Sequence, residues 1–336
     1  MAITAANPSS GWSALVNGRW PMNYMVTDGP RADPATSLTW ALLILSVAVI
    51  VIITVAVFAG VIARRSRQSV ASLPTAPVGR DIGGLNWIYV GLALTVVALI
   101  AALIWTMQVL AAVDSPAIAP RLTIEVTGHQ WWWEVRYLGA APGDTFTTAN
   151  EIHVPVGQPV LVKLYGADVI HSFWIPALTG KTDTIPGREN VTWLQADRAG
   201  VYRGQCTEYC GAQHAHMAAF VVAEPEAAFK AWRRGQLSPA AAAVTPDAAA
   251  GREVMVSRCG ACHTVRGTTA GGVLGPDLTH LMSRQTLASG ALANTPGNLA
   301  GWISDPQSAK PGAQMPPTFL SGPDLTHLRA YLASLQ

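Results

Sequence analysis

Two stretches of the chain are apolar without interruption. Residues 38–62, LTWALLILSVAVIVIITVAVFAGVI, and 87–113, WIYVGLALTVVALIAALIWTMQVLAAV, contain no charged side chain. As a helix the first spans roughly 37 Å, enough to cross a bilayer with some tilt, and the second does the same. A buried helical hairpin inside a large soluble core is the bland alternative. From about Pro120 the pattern changes to short runs of period-two alternation, RLTIEV, NEIHVPV, QPVLVKLYG, NVTWLQA and AAFVVAE, separated by Gly, Pro, Asp and Asn. Such runs predict half-buried strands, so residues 120–224 read as a small all-β sandwich or barrel. Residues 225–234 read as a helix. The Ala/Pro-rich stretch GQLSPAAAAVTPDAAAG after them reads as a semi-rigid spacer rather than a free coil. A third unit begins near Thr245. Pro246 and Asp247 suit a helix start, and Ser321 with Asp324 resembles a capping box ahead of Leu325, Leu328, Leu332 and Leu335. The expected organisation is an N-terminal segment (1–37), a helical hairpin (38–113), a β domain (114–234), a linker (235–245) and a C-terminal domain (246–336).

Composition strengthens the membrane reading: of 336 residues only 12% are charged and 50% are hydrophobic, against about 25% charged in typical globular domains. The net charge is +2, with no basic run beyond Arg64, Arg65 and Arg67, and there is no nucleotide-binding glycine loop. Nucleic-acid binding is excluded on these grounds. Arg64, Arg65, Arg67 and Arg80 lie between the two apolar stretches, whereas Arg19 and Arg31 are offset by Asp28 and Asp33. The connecting loop is therefore expected on the cytoplasmic side, with both termini and everything after Asp114 exported. Residues 1–36 lack an apolar signal core, so either the first helix directs insertion or a leader has been removed.

The most specific short motif is CGACH, Cys259 to His263. In C-x-x-C-H, two thiols form thioethers to haem vinyl groups and the adjacent histidine becomes an axial iron ligand. A structural zinc site or a redox dithiol would leave the histidine unexplained. The sixth ligand must come from Met255, Met282, Met315, His280 or His327. Met315 in PGAQMPP is preferred, because the prolines forbid regular helix and suit a stiff loop across a haem face. Met255 stands four residues before Cys259 on the same expected helix, pointing elsewhere. The unit resembles a class I cytochrome c over residues 246–336, with haem c covalently bound.

A second cluster lies in GQCTEYCGAQHAHM, residues 204–217, which holds two of the four cysteines. In an exported domain a Cys206–Cys210 disulfide is the serious alternative, but it leaves His214 and Met217 without a reason. Two thiolates, an imidazole and a thioether form a soft ligand set that matches copper rather than magnesium or calcium. A further ligand must come from elsewhere in the β domain, and His171 in VIHSFWIP is placed for it. His216 reads as a neighbour rather than a ligand.

CTEYCGAQHAHM resembles the C-x-E-x-C-x-x-x-H-x-x-M motif of cytochrome c oxidase subunit II. GHQWWWEVRY, IHSFWIPALTGKTDTIPGREN and the two apolar stretches resemble the same family in order, over residues 38–232, and the C-terminal haem unit extends the likeness to the fused, caa-type subunit. The resemblance implies a multidomain membrane protein with a two-helix transmembrane hairpin, an all-β cupredoxin domain and an all-α cytochrome c domain. It also implies a dinuclear copper centre, CuA, bridged by Cys206 and Cys210, with His171 and His214 each on one copper. Met217 would be a weak ligand and the Glu208 carbonyl another, while the Glu208 carboxylate would reach a magnesium ion shared with subunit I. Asp183 would lie near the subunit I interface. Trp131, after Gln130, would be the residue through which electrons reach copper. On a strand Trp131 and Trp133 should share one face and Trp132 the other.

The function implied is that of an electron-transfer subunit of a haem-copper terminal oxidase in a bacterial inner membrane. Electrons from an external cytochrome c or similar donor would pass through the fused haem c to CuA and on to subunit I, where oxygen is reduced to water and protons are pumped. Partners would be subunit I, the other oxidase subunits, the donor and membrane lipid. One departure stands out: where relatives carry a glutamate before the second membrane helix, this chain reads GRDIGGLNW. Gly84 and Asn86 cannot titrate there and Asp81 is the nearest acid. Two rivals remain: a CuA subunit of a nitric oxide reductase, decided by the partner subunit, and a membrane-anchored copper-delivery protein, which would need one helix, a thioredoxin-like pattern and no haem.

Overall fold

The computed structural model describes residues 22–67 and 82–336 of the chain, with side chains described up to residue 63 and again from residue 85. Arg19, Arg80 and Asp81, and the side chains of Arg64, Arg65 and Arg67, lie outside that description. Two compact units emerge. One is the helical pair, residues 33–115; the other joins the segment before it to residues 116–336.

The apolar stretches form α1 (Asp33–Arg67) and α2 (Ile82–Asp114), which pack on each other. Both run several residues beyond the uncharged cores. Their apolar side chains, such as Ile52 and Leu94, point outward, as expected where lipid is the solvent. Hydroxyls within them are satisfied internally. Ser46, Thr95 and Thr106 each donate to the carbonyl four residues back, at 2.8–2.9 Å, which removes the cost of a bare donor in hydrocarbon.

The β domain has a five-stranded sheet in the order β3-β2-β1-β5-β8 and a three-stranded sheet in the order β4-β10-β9. Strands β1 (Leu122–His129), β2 (Trp132–Tyr137), β3 (Phe146–Ala149), β4 (Glu151–Pro155), β5 (Val160–Gly166), β6 (His171–Phe173), β7 (Thr182–Thr184), β8 (Asn190–Leu194), β9 (Gly200–Gln205) and β10 (Ala218–Glu224) follow in chain order. Leu122, Ile124 and Val126 of β1 and Val160, Val162 and Leu164 of β5 put their alternate side chains into one core, each worth about 1.5–3 kcal/mol of burial. This is the expected all-β domain. The alternation expected across Trp131–Trp133 does not hold. β2 begins only at Trp132, paired with His129, so Gln130 and Trp131 form the two-residue turn of a hairpin, and Trp133 alone is fully buried.

Residues 22–32 lie on this domain: Asp28 N–H donates to Ala177 O at 2.8 Å and Asp197 N–H to Asp28 O at 2.9 Å. Beyond β10, α3 (Glu226–Leu237) leads into a non-helical connector whose Ala240 N–H donates to Arg266 O at 2.8 Å. The expected spacer is thus laid along the C-terminal domain. That domain holds α4 (Pro246–Val254), which continues into a π-helical turn at Met255–Cys259, a two-stranded ribbon of β11 (Thr286–Leu287) and β12 (Leu292–Ala293), and α5 (Pro296–Ser304), α6 (Pro306–Ala309) and α7 (Gly322–Leu332). The helix starts follow the local sequence. Thr245 Oγ1 accepts from Ala248 N–H and Ser321 Oγ from Asp324 N–H, and α4 packs on α7 around buried Met255, Leu328 and Leu332.

Candidate metal and haem sites

β9 and β10 are paired in register, Gln205 opposite Ala218, and Cys206 N–H continues the ladder to Met217 O at 3.0 Å. The segment from Cys206 to Met217 is therefore a loop closed at its base, with its first and last residues side by side. Thr207 N–H donates to Ser172 O at 3.1 Å and Gln205 N–H to Trp174 O at 3.1 Å, which brings β6, and His171 at its start, alongside. Cys206 Sγ then lies 3.7 Å from Cys210 Sγ, 3.9 Å from His171 Nδ1 and 3.3 Å from Glu208 O. Cys210 Sγ lies 3.5 Å from His214 Nδ1 and 3.9 Å from Met217 Sδ. His171, Cys206, Cys210 and Met217 are buried. His216 is exposed and bonds Gln213 instead, at 2.7 Å.

A sulfur separation of 3.7 Å is far beyond the roughly 2.05 Å of a disulfide. Hydrogen bonding to Cys210 pulls the Cys206 thiol down to about 4, against the burial that opposes ionisation, and Cys206 in turn pushes the Cys210 thiol up, with burial adding to the rise. Two buried thiolates this close repel, and a cation between them removes the conflict. The donor set fits copper on that ground. Glu208 points its carboxylate to solvent, as does Asp183 on β7. Among the described residues, the group of His171, Cys206 and Cys210 is the one cluster of three such donors.

Asp168, absent from the sequence reading, completes the site. Its Oδ1 lies 2.8 Å from His171 Nε2, and its Oδ2 accepts Gln130 N–H at 2.6 Å. Burial would raise this carboxyl, but the bonds from His171, Val169 and Gln130 outweigh it and hold it low. A ligating histidine commonly gives its second nitrogen to a carboxylate, so an acid three residues before His171 was the available signal.

Cys259, Cys262, His263 and Met315 line one cavity of about 550 Å³, walled by Leu278, Leu281, Leu299, Trp302 and Ile303 among others. His263 Nδ1 donates to Pro276 O at 2.8 Å, leaving Nε2 for a metal. A Cβ at Gly275 would lie 2.5 Å from the His263 ring, so only glycine permits that ring position. The two thiols, the oriented imidazole and the apolar walls fit a haem. Of the other candidates, Met255 is buried in the domain core and Met282 packs against it. His280 holds two carbonyl oxygens, of Gln336 and Ser238, and His327 faces Asp247.

The cavity's remaining wall belongs to the β domain: His129, Gln130, Trp131, Trp132, Asn150 and Asp168. Trp131 Nε1–H donates to Cys210 O at 2.9 Å and Gln130 Nε2 to the same oxygen at 2.7 Å. Gly211, at φ +111°, lies directly beneath the indole. Among the described residues, several bridges hold the domains together. Glu151 Oε1 accepts from Gln285 and Thr286 N–H at 2.7 and 3.1 Å, Ser289 Oγ donates to Ala218 O at 2.8 Å, Gln213 Nε2 donates to Pro311 O at 2.7 Å, and Lys310 Nζ donates to Trp131 O at 2.6 Å.

Comparison with known proteins bears on the whole arrangement. Residues 140–224 match the family of the cytochrome c oxidase subunit II periplasmic domain, and residues 248–336 match cytochrome c. Cytochrome c oxidase subunit 2 of Alkalihalophilus pseudofirmus is 35% identical over 301 residues, 88% of this chain and 86% of its own. The chain belongs to the cytochrome c oxidase subunit II family. Cytochrome c oxidase subunit 2 of Bacillus sp. strain PS3 is 30% identical over 288 residues, 81% of this chain and 80% of its own. Among solved structures, the periplasmic domain of subunit II of cytochrome oxidase of Bradyrhizobium japonicum is 34% identical, covers 36% of this chain and 96% of that chain, and has a TM-score of 0.34. As a subunit II, this chain is part of a multisubunit oxidase, anchored by two helices and carrying a cupredoxin domain and a cytochrome c domain. The all-β domain removes the thioredoxin-like copper-delivery alternative.

Proposed function

We propose that the chain carries electrons from an external cytochrome c or similar donor, through a covalently bound haem c, to a dinuclear copper centre and on to subunit I, where oxygen is reduced. The observation that carries this reading is Trp131, which lines the haem cavity on one side and donates to the Cys210 carbonyl on the other. Cys259 and Cys262 would attach the haem, and His263 and Met315 would ligate its iron. His171, Cys206, Cys210, His214, Met217 and the Glu208 carbonyl would hold the coppers. The bound groups supply reversible one-electron chemistry. The chain's residues supply the rest: Asp168 orients His171 and Pro276 orients His263.

Residues 22–32 pack on the same domain that follows α2, which supports both ends of the helical pair lying on one side of the membrane, the outer one by the arginine distribution. The exposed Glu208 carboxylate is free to complete a magnesium site with subunit I. Copper analysis and electron paramagnetic resonance on the assembled oxidase test the centre: two coppers per chain and a mixed-valence signal are expected, and a single copper defeats it. Trp131→Leu should slow haem c to copper transfer in flash kinetics without altering either spectrum.

A further inference from the structure

Lysine is almost never fully buried unless paired, yet Lys310 is 3% exposed. Among the described residues no carboxylate bonds it. Its Nζ donates instead to two backbone oxygens, Trp131 O at 2.6 Å in the β domain and Ala288 O at 3.1 Å in its own domain. Ala288 lies at φ 51° in a strained turn, and Trp131 occupies the two-residue β1–β2 turn. Neither carbonyl is part of a strand ladder, so each needs an outside donor. The next residues continue the contact. Pro311 O receives Gln213 from the copper loop at 2.7 Å, and a Cβ at Gly312 would sit 3.6 Å from Trp131 Cη2. Three residues later comes Met315.

We propose that Lys310 is a positioning residue that latches the Met315 loop to the backbone of Trp131, so that the haem cavity and the copper loop meet in one fixed arrangement for electron transfer. This rests on the functional reading above, in which haem and copper exchange electrons across Trp131. The indole is clamped between Cys210–Gly211 below and Lys310–Gly312 beside it. Without the Lys310 side chain, these two carbonyls lose its N–H donors, and among the described residues the loop keeps Gln213 as its bond to the copper side.

The test uses the complete oxidase carrying Lys310→Met, with Lys310→Gln as a second variant that keeps a polar head and Lys310→Arg as the conservative one. Internal transfer from haem c to copper should slow about tenfold in Lys310→Met, given the cost of leaving two half-buried carbonyls without this donor, and recover at least partly in Lys310→Arg. The methionine-to-iron band and the copper resonance should be unchanged, and amide exchange at Gln285 and Thr286 should quicken. Wild-type transfer in both Lys310→Met and Lys310→Gln overturns the latch. So does loss of the methionine-to-iron band, which would make Lys310 a part of the haem pocket, or failure of both variants to assemble, which would make it a folding residue. A wild-type enzyme without any haem-to-copper phase defeats the functional reading instead, whatever the variants do.

Discussion

The two loops proposed to carry the redox ligands are built on opposite plans. The copper loop, Cys206–Met217, is closed by its own strands: Gln205 faces Ala218, Cys206 bonds Met217, and five of its donor groups come from twelve consecutive residues. The loop from Lys310 to Met315 has no ladder at its base. It leans on Gln307, whose Nε2 reaches Ala313 O and Met315 O at 2.8 and 3.2 Å, and on the β domain through Lys310 and Pro311. A metal site closed by strands is preformed whatever its neighbour does. A ligand loop held from outside takes its position from the docking of two domains, which makes electron transfer rather than ligation the property most exposed to change there.

The largest effects should therefore fall on the copper loop. Cys210→Ser removes the sulfur that faces Cys206, His214 and Met217 together. It should abolish the mixed-valence resonance and nearly all turnover while leaving the haem spectrum intact, as measured by resonance and oxygen uptake. Next in size, Met315→His should lower the haem potential and abolish the methionine-to-iron band, because exchanging thioether for imidazole removes the ligand that raises the potential. Met282→Leu, in the core rather than the cavity, should leave both unchanged. If Met282→Leu has the larger spectral effect, the contrast between the two loops loses its haem half.

Asp168→Asn should weaken copper retention about 10–100-fold against a competing chelator, the usual cost of losing a carboxylate behind a ligating histidine. Unaltered retention would mean that His171 is held by β6 alone. This residue also marks where sequence reading stopped. The proposed ligands from Cys206 to Met217 can be picked out in the sequence because they crowd into one segment, and the proposed haem residues Cys259, Cys262 and His263 because their spacing is itself a motif. The two apolar helices and five of the strands follow from apolar runs and alternation, and the starts of α4 and α7 from their capping residues, whereas α5 and α6 were missed. β9 was missed because Gly200 and Gly204 interrupt its pattern, and β3 because four residues show too little period. Glu151 with Gln285, Ser289 with Ala218 and Lys310 with Trp131 are separated by more than seventy positions along the chain. No local pattern announces such pairs, since each residue alone reads as ordinary surface.

The smallest effect expected is on pH, and its sign is fixed by the burial of Lys310. Burial lowers the ammonium to about 7, with the Cys210 sulfur opposing the shift, whereas a lysine in water titrates near ~10.4. If the domains part, Lys310 gains water, so between those values the parted state binds more protons than the docked one. Stability rises with pH wherever the opened state holds more protons, so docking should tighten from about pH 7 upward and be indifferent to this group below it. The neutral amine still offers two N–H donors, one each for Trp131 O and Ala288 O, so deprotonation relieves the buried charge without emptying the latch. Glu151, the buried acid at the same junction, is raised by burial; docking weakens as it ionises, which opposes the lysine. The comparison is therefore made against Lys310→Met, in which Glu151 is retained. Amide exchange at Gln285 and Thr286, corrected for its intrinsic base catalysis, should show protection increasing from pH 7 to 9 in the wild type more than in that variant. Equal slopes in the two proteins would mean that Lys310 stays equally buried in the parted state, and the loop would then be held by its own domain after all.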